Sequence, residues 1–439
     1  MDTSQIGILG ILVMLFLFLA RIPVAYVMAL IGVAGFSIIT SLNSGLNLLS
    51  RNIYDTFTAY HLTTIPLFIF MGQLAFSSGI SSRLYQIAYR FFGKTKGGLS
   101  IATVASCTAF GAICGSSPAT AATMATVAIP EMKKYKYSDA LATGSVASAG
   151  GLGMIMPPSV VLIIYGVLTE QSIGKLFMSG IIPALFIMVL FMVAIWILCY
   201  FSPNQGPPGE SYPLSVKLKS LLGLTDILLI FLLVVGGMFK GLFTPTEAAA
   251  VGVIGLMVLT ALKKRLSWEL IKTASLETLK TSSMVMFLIA GAVVFGKFLA
   301  ITRIPFNMAT WVNSFNLPAF GIMALIILIY FIGGCFMDSL ALIMLTIPIF
   351  YPVVLELGYN PIWFGIIIVL VTEMGVITPP VGINVYVVYG VAKKYQKDLR
   401  LESIFKGIIP FFLAIVVGII MMFIFPQIIL FLPELIYGV

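Results

Sequence analysis

The stretch GMIMPPSVVLIIYG (residues 153–166) sets two adjacent prolines inside a run apolar enough to lie in a membrane, and GVITPPVGINVYVVYG (375–390) does the same. Proline in a helix interior costs about 3 kcal/mol or more, because it removes a backbone donor and its ring meets the preceding turn. Two long apolar helices are therefore broken, and broken alike. Sliding the chain on itself by 222 residues lays Pro157-Pro158 on Pro379-Pro380, Gly153 on Gly375 and Ile155 on Ile377. The same offset pairs Pro23 with Pro245, Pro130 with Pro352, Tyr137 with Tyr359 and Ser117 with Ser339. One offset held over most of each half is the mark of an internal duplication.

Composition sets the solvent. Of 439 residues, 60% are hydrophobic and 9% charged, and mean hydropathy is +1.10. Soluble domains carry roughly 25% charged residues. Apolar runs near the 20 or so residues needed to span a bilayer recur throughout, so the chain reads as an all-α, polytopic membrane protein. The first apolar run lacks a basic leader and a small-residue cleavage site, so no removable signal peptide is expected. Cys107, Cys114, Cys199 and Cys335 show no metal-ligand spacing and read as packing residues. His61, the single histidine, adjoins an apolar run and reads as an interfacial side chain.

The duplication divides the chain into repeats at 1–202 and 223–439. Between them lies PNQGPPGESYPLSVKLKSLL (203–222), a Pro- and Gly-rich cytoplasmic linker. In the first repeat, spans are predicted at about 5–20, 23–40 and 63–80, followed by a basic loop. The small-residue segment 97–132 is interrupted at Gly115-Ser116-Ser117-Pro118 and reads as a re-entrant hairpin of two half-helices. A broken helix at about 139–169 and a span at about 174–201 complete the unit. The second repeat follows with spans near 225–242, 245–262 and 281–300, a hairpin at about 318–352, a broken helix at about 360–391 and a final span at about 404–425. Five crossings per repeat is an odd number, so the second repeat is inverted in the membrane. With both termini on the periplasmic side, all of the 25 basic residues except Arg51, Lys175, Lys240, Lys297 and Arg303 become cytoplasmic, as the positive-inside rule requires. The net charge of +9 is then explained by loops facing anionic lipid, with no nucleic acid as partner.

Inverted repeats with discontinuous helices point to secondary transport. A broken helix presents unpaired carbonyls on one side, suited to a cation, and unpaired N–H groups on the other, suited to an anion. Packing kinks are the plainer account of a proline pair, but two pairs in one register, each with a Ser-bearing hairpin, favour ion and substrate cradles. GSSPATAATMATVAIPEMKKYKY and MDSLALIMLTIPIFYPVVLELGY, each followed by its proline-pair motif, resemble the large membrane subunit (M-type permease) of tripartite ATP-independent periplasmic (TRAP) transporters. The resemblance covers essentially the whole chain. It implies an elevator-type, sodium-coupled (Na+) symporter of the bacterial inner membrane. Its partners would be a small four-helix membrane subunit, here a separate polypeptide, and a periplasmic substrate-binding protein that delivers a small organic anion. It further implies one sodium site at Ser116, Ser117, Gly153 and Pro157, a second at Asp338, Ser339, Thr378 and Gly382, and substrate near Pro158, Ser159, Pro380 and Asn384.

Other classes fit less well. An intramembrane aspartyl protease would need a GxGD motif, which is absent, and Asp55 lies in a polar connection. A serine protease would need a histidine near a hairpin, and His61 is not. A channel would leave a continuous polar path through the spans. A sodium-coupled divalent-anion symporter working without a binding protein is the closest alternative. Lys297 and Arg303 are expected to snorkel to the interface, and Glu373, six residues before the second proline pair, to link moving and static helices. Asp338 is expected to hold a cation, to cap the second hairpin half-helix, or both. The hairpins and broken helices are expected to move as a block. The spans at 5–40 and 225–262 and the last helix of each repeat would then form a scaffold for the small subunit.

Overall fold

The computed structural model describes residues 2–20, 22–307 and 318–438. Arg21, one of the basic residues assigned to the cytoplasm, lies outside them. The described residues form helices, turns and loops, without strands. Among the described residues, eight helices are long and apolar enough to cross a membrane, or nine if the bent pair Leu42–Thr58 and Tyr60–Ser77 is one span. A count by length and composition leaves out short helices and takes in hairpin arms. The helices Thr3–Leu19 and Val24–Ile39 have only 17 and 16 residues, about 25 Å at 1.5 Å per residue. Both arms of the second hairpin, in contrast, are long enough to count.

Each repeat carries a hairpin and a broken helix. Hairpin 1 is Gly98–Cys114 and Ser117–Lys134; hairpin 2 is Ala319–Phe336 and Ser339–Glu356. Broken helix 1 runs through Asp139–Gly150, a turn at Leu152–Ile155 and Val160–Thr169. Broken helix 2 is Pro361–Val376 and Ile383–Ala392. Side-chain caps set several starts: Ser138 Oγ accepts from the Leu141 N–H at 3.2 Å, and Asn360 Oδ1 from the Ile362 N–H at 2.8 Å with Pro361 at the first position, each cap stabilising its helix by about 1 kcal/mol. Helix Pro245–Leu262 begins in a capping box of Thr244 and Glu247.

Two predicted loops are helices. The basic loop before hairpin 1 holds Ile80–Phe92, whose Ile80, Leu84 and Ile87 are buried at helical spacing, one apolar stripe on a polar segment. The polar connection bearing Asp55 is Leu42–Thr58. The region read as linker is also ordered. The Gly97 N–H donates to Gly206 O (2.8 Å), that of Gly209 to Gly93 O (2.7 Å) and that of Ser138 to Gln205 O (3.0 Å), and helix begins again at Leu214.

The helices sort into two groups. Val24–Ile39, Thr64–Ser77, Pro245–Leu262 and Trp268–Ile301 pack together, with Thr64 and Thr246 sharing a buried hydroxyl hydrogen bond of 2.6 Å. The hairpins and broken helices form the other group, joined by Ile173–Phe201 and Leu401–Ile424. This corrects the expectation that the last helices belong to the scaffold. Phe191 and Phe411 meet edge to face at 5.1 Å, Trp363 Nε1–H donates to Met422 O at 3.1 Å, and Gly407 lies directly on the Ala140 backbone.

Candidate functional site

Both breaks are built the same way, by pressing a hairpin onto a glycine. A Cβ on Gly111 of hairpin 1 would lie 2.5 Å from the Gly153 Cα; one on Gly375 would lie 2.6 Å from the Gly334 Cα of hairpin 2. Backbone therefore meets backbone at each break, as close packing through small residues allows. Both proline pairs have cis peptide bonds.

Around the first break the predicted residues converge. A Cβ on Gly153 would sit 2.6 Å from Thr120 Oγ1 and 3.2 Å from Ser116 O. Thr120 Oγ1 is buried without a hydrogen-bond partner, and an orphaned buried oxygen is a cost unless something occupies it. Ser117 Oγ accepts from Asn384 Nδ2 at 2.7 Å, and Asn384 also donates to Ala147 O at 3.1 Å. Thr120 was missed from the sequence. Its place one helical turn beyond Ser117 was the available signal.

At the second break, Asp338 caps Ser339–Glu356, its Oδ2 accepting from the Leu340 N–H at 3.1 Å. Ser339 Oγ is buried and unpartnered. The Thr378 hydroxyl donates to Met374 O at 2.6 Å, and Gly382 adopts φ +59 at the start of Ile383–Ala392. The donor set, a carboxylate with hydroxyl and carbonyl oxygens, is that of a hard cation.

The two tips share one cavity of about 300 Å³. Ser116 and Ser117 line it from one side, Asp338 and Ser339 from the other, and Gln73 and Thr281 of the first helix group face them. Its lining holds one carboxylate and no basic side chain. The helices starting at Ser117 and Ser339 begin at its wall, so the positive charge it offers an anion comes from helix N-termini.

None of Pro158, Ser159, Pro380 and Asn384 lines this cavity. Ser159 instead closes its own break, donating to Met154 O and accepting from the Leu162 N–H, while Asn384 is 0% exposed beneath hairpin 1. Lys297 donates to Asn52 Oδ1 at 2.8 Å, so it is held by protein and does not simply snorkel. The cysteines are all free and buried.

Comparison with known proteins gives this geometry a family. Residues 11–428 match the model of the DctM component of the tripartite ATP-independent periplasmic transporters. A C4-dicarboxylate TRAP transporter large permease protein of Pseudomonas aeruginosa is 35% identical over 88% of this chain and 89% of its own length. The sialic acid TRAP transporter large permease protein of Vibrio cholerae is 31% identical over 99% of each chain. Among solved structures, the Alcanivorax borkumensis YdaH transporter shares the fold at a TM-score of 0.65 and 14% identity, covering 86% of this chain and 87% of that one. Neisseria gonorrhoeae MtrF does so at 0.61 and 14%, covering 87% and 84%. These relatives are permeases and not enzymes, and the chain belongs to the DctM component family of TRAP transporters.

Proposed function

We propose that this subunit imports a small organic anion, a carboxylate or sulfonate, together with sodium. A periplasmic binding protein delivers the anion, and a small membrane subunit stands beside this one. The observation that carries the reading is the shared cavity. Two hairpin tips line it, one neutral and one bearing Asp338, with Ser339 Oγ orphaned in its lining. Sodium bound near Asp338 and Ser339, and near Ser116, Thr120 and Gly153, would supply the positive charge that the lining lacks. The anion would then accept from the helix N-terminus at Ser117, since Asp338 caps the one at Ser339. Relatives named for C4-dicarboxylate, isethionate, sialic acid and ectoine transport show how wide the substrate range of this scaffold is.

In this reading the hairpin group slides against the other group as an elevator, with both termini periplasmic and hairpin 1 entering from the cytoplasm. Cysteines at Lys134 and Pro318, at the bases of the two hairpins, should label from opposite sides. The functional test is uptake into proteoliposomes holding both membrane subunits, with each candidate anion, with and without a sodium gradient and binding protein. Uptake that needs both supports the reading. Uptake indifferent to sodium removes it, and uptake that needs sodium but no binding protein favours the divalent-anion alternative.

A further inference from the structure

Glu373 is the acidic group that this transport reading leaves without a task. It lies in Pro361–Val376, is 0% exposed, and neither of its carboxyl oxygens has a hydrogen-bond partner. Its neighbour is Gly151, where a Cβ would sit 2.0 Å from Oε1 and 2.5 Å from Cγ. Under the 222-residue offset, Gly151 is also its counterpart. Two equivalent positions that touch lie on the pseudo-two-fold axis relating the repeats. Glu373 thus joins the two broken helices to each other and does not bridge moving and static helices, as the sequence reading had it.

Among the described residues no cation forms an ion pair with it. The charged side chains on the elements packed against its helix are Lys175, Glu356, Glu402, Lys406 and Glu434, with Asp338 capping hairpin 2. Of the other titratable groups there, Tyr165, Tyr351 and Cys335 donate to backbone oxygens of Pro361, Thr169 and Phe331, and the Tyr330 hydroxyl has no partner. Cys199 and Tyr200 lie near the far end of Ile173–Phe201. An isolated buried carboxylate is far costlier than a neutral polar group. A metal ion would need a shell of several oxygens, and the Gly151 backbone is packed onto the carboxyl where that shell would start. A proton needs no such room.

We propose that Glu373 is a proton-binding site: the neutral acid holds the two broken helices together at the axis, and losing the proton disables the hairpin group. The inference stands apart from the sodium and anion assignments. Glu373→Gln keeps the shape and cannot be charged. Wild-type thermal stability and uptake should fall as pH is raised, while E373Q stays flat over that range with unchanged sodium affinity. The infrared carbonyl band of a buried carboxylic acid should appear in the wild type, persist in Asp338→Asn and vanish in E373Q. A loss with rising pH that persists in E373Q overturns the proposal. So does a sodium affinity weakened in E373Q, which would make the group a cation ligand. Should E373Q fail to assemble, the infrared spectra of wild type and D338N decide alone: a band in both supports the proposal, and its absence from either overturns it.

Discussion

Asp338→Asn separates the two tasks that the structure allows this residue. The capping task is visible, since Oδ2 accepts from the Leu340 N–H. Asn caps a helix about as well as Asp, whereas Ala loses about 1 kcal/mol. The amide should therefore leave folding and assembly unchanged, and Asp338→Ala should lower the unfolding temperature. The ion-binding task depends on charge. A unit charge about 4 Å from a cation contributes about 4 kcal/mol at an effective dielectric near 20. The amide oxygen of Asn recovers part of this, so the net loss should be at least about 1.4 kcal/mol, or tenfold in affinity. Sodium titration of the purified complex, read by calorimetry or by sodium-dependent thermal shift, measures it directly. A fully folded D338N protein binding sodium within roughly twofold of wild type, less than about 0.5 kcal/mol, would leave Asp338 as a cap and refute the ion-site argument.

Gly375→Ala places a Cβ 2.5 Å from the Gly334 carbonyl carbon, where ordinary contact begins near 3.4 Å, so backbone must yield. It should destabilise by about 1–3 kcal/mol, while Gly296→Ala, 3.6 Å from Pro348, stays within about 0.5 kcal/mol; equal unfolding midpoints would contradict the packing of the second break. Ser116→Asp puts a second carboxylate on the shared cavity and should weaken anion binding at saturating sodium by at least about tenfold, with an unchanged anion dissociation constant the result against it. In the segment between the repeats, hydroxyl donation from Tyr212 and Tyr135 holds the Glu210 carboxyl below its ordinary range. Because its folded pKa is depressed, the stabilisation is present above the unfolded value of about 4.3 and fades as pH falls through the lower folded value. Amide exchange at Gly97 and Gly209 should accordingly speed up in acid relative to Glu210→Gln, and parallel profiles would argue otherwise.

What the sequence showed plainly was whatever the backbone had to write in residue type. Proline pairs, hairpin glycines and capping serines leave no substitute that does the same work, so the breaks and tips were legible to within a few residues. Packing partners were not. Ile173–Phe201 and Leu401–Ile424 look uniformly apolar, and apolarity alone does not say which neighbours they choose. Leu401–Ile424 is placed by one close approach, Gly407 on Ala140, which resembles any other glycine in a span. Ile80–Phe92 was hidden by its Arg83 and Arg90, which mask a stripe three residues wide. The substrate residues came from the family resemblance; none of them lines the shared cavity, and Ser159 spends its hydroxyl on its own break. Gln73 carried a usable signal, a polar residue in an apolar helix, whereas Thr281 is one of a polar run, Lys280 to Ser283.

The duplication copied the backbone and left the charges unequal. Where the second repeat has Asp338 and Glu373, the first has Ser116 and Gly151. The two breaks also differ in exposure: every residue from 151 to 160 is buried, while Pro379 and Pro380 are exposed. A symmetric pair of carboxylates would suit two cations but would repel an anion lying between them, by about 4 kcal/mol each at 4 Å and an effective dielectric near 20. With no basic side chain in the cavity lining, that repulsion would have nothing to offset it. A neutral first tip leaves the Ser117 helix N-terminus free to face an anion, while the second tip keeps the carboxylate. At the axis the constraint is steric, for Glu373 fits because its counterpart is glycine, and two glutamates could not share the place that Gly151 leaves to one. Repeat symmetry thus builds two like tips, and its violation at Asp338 leaves the cavity they line a single carboxylate.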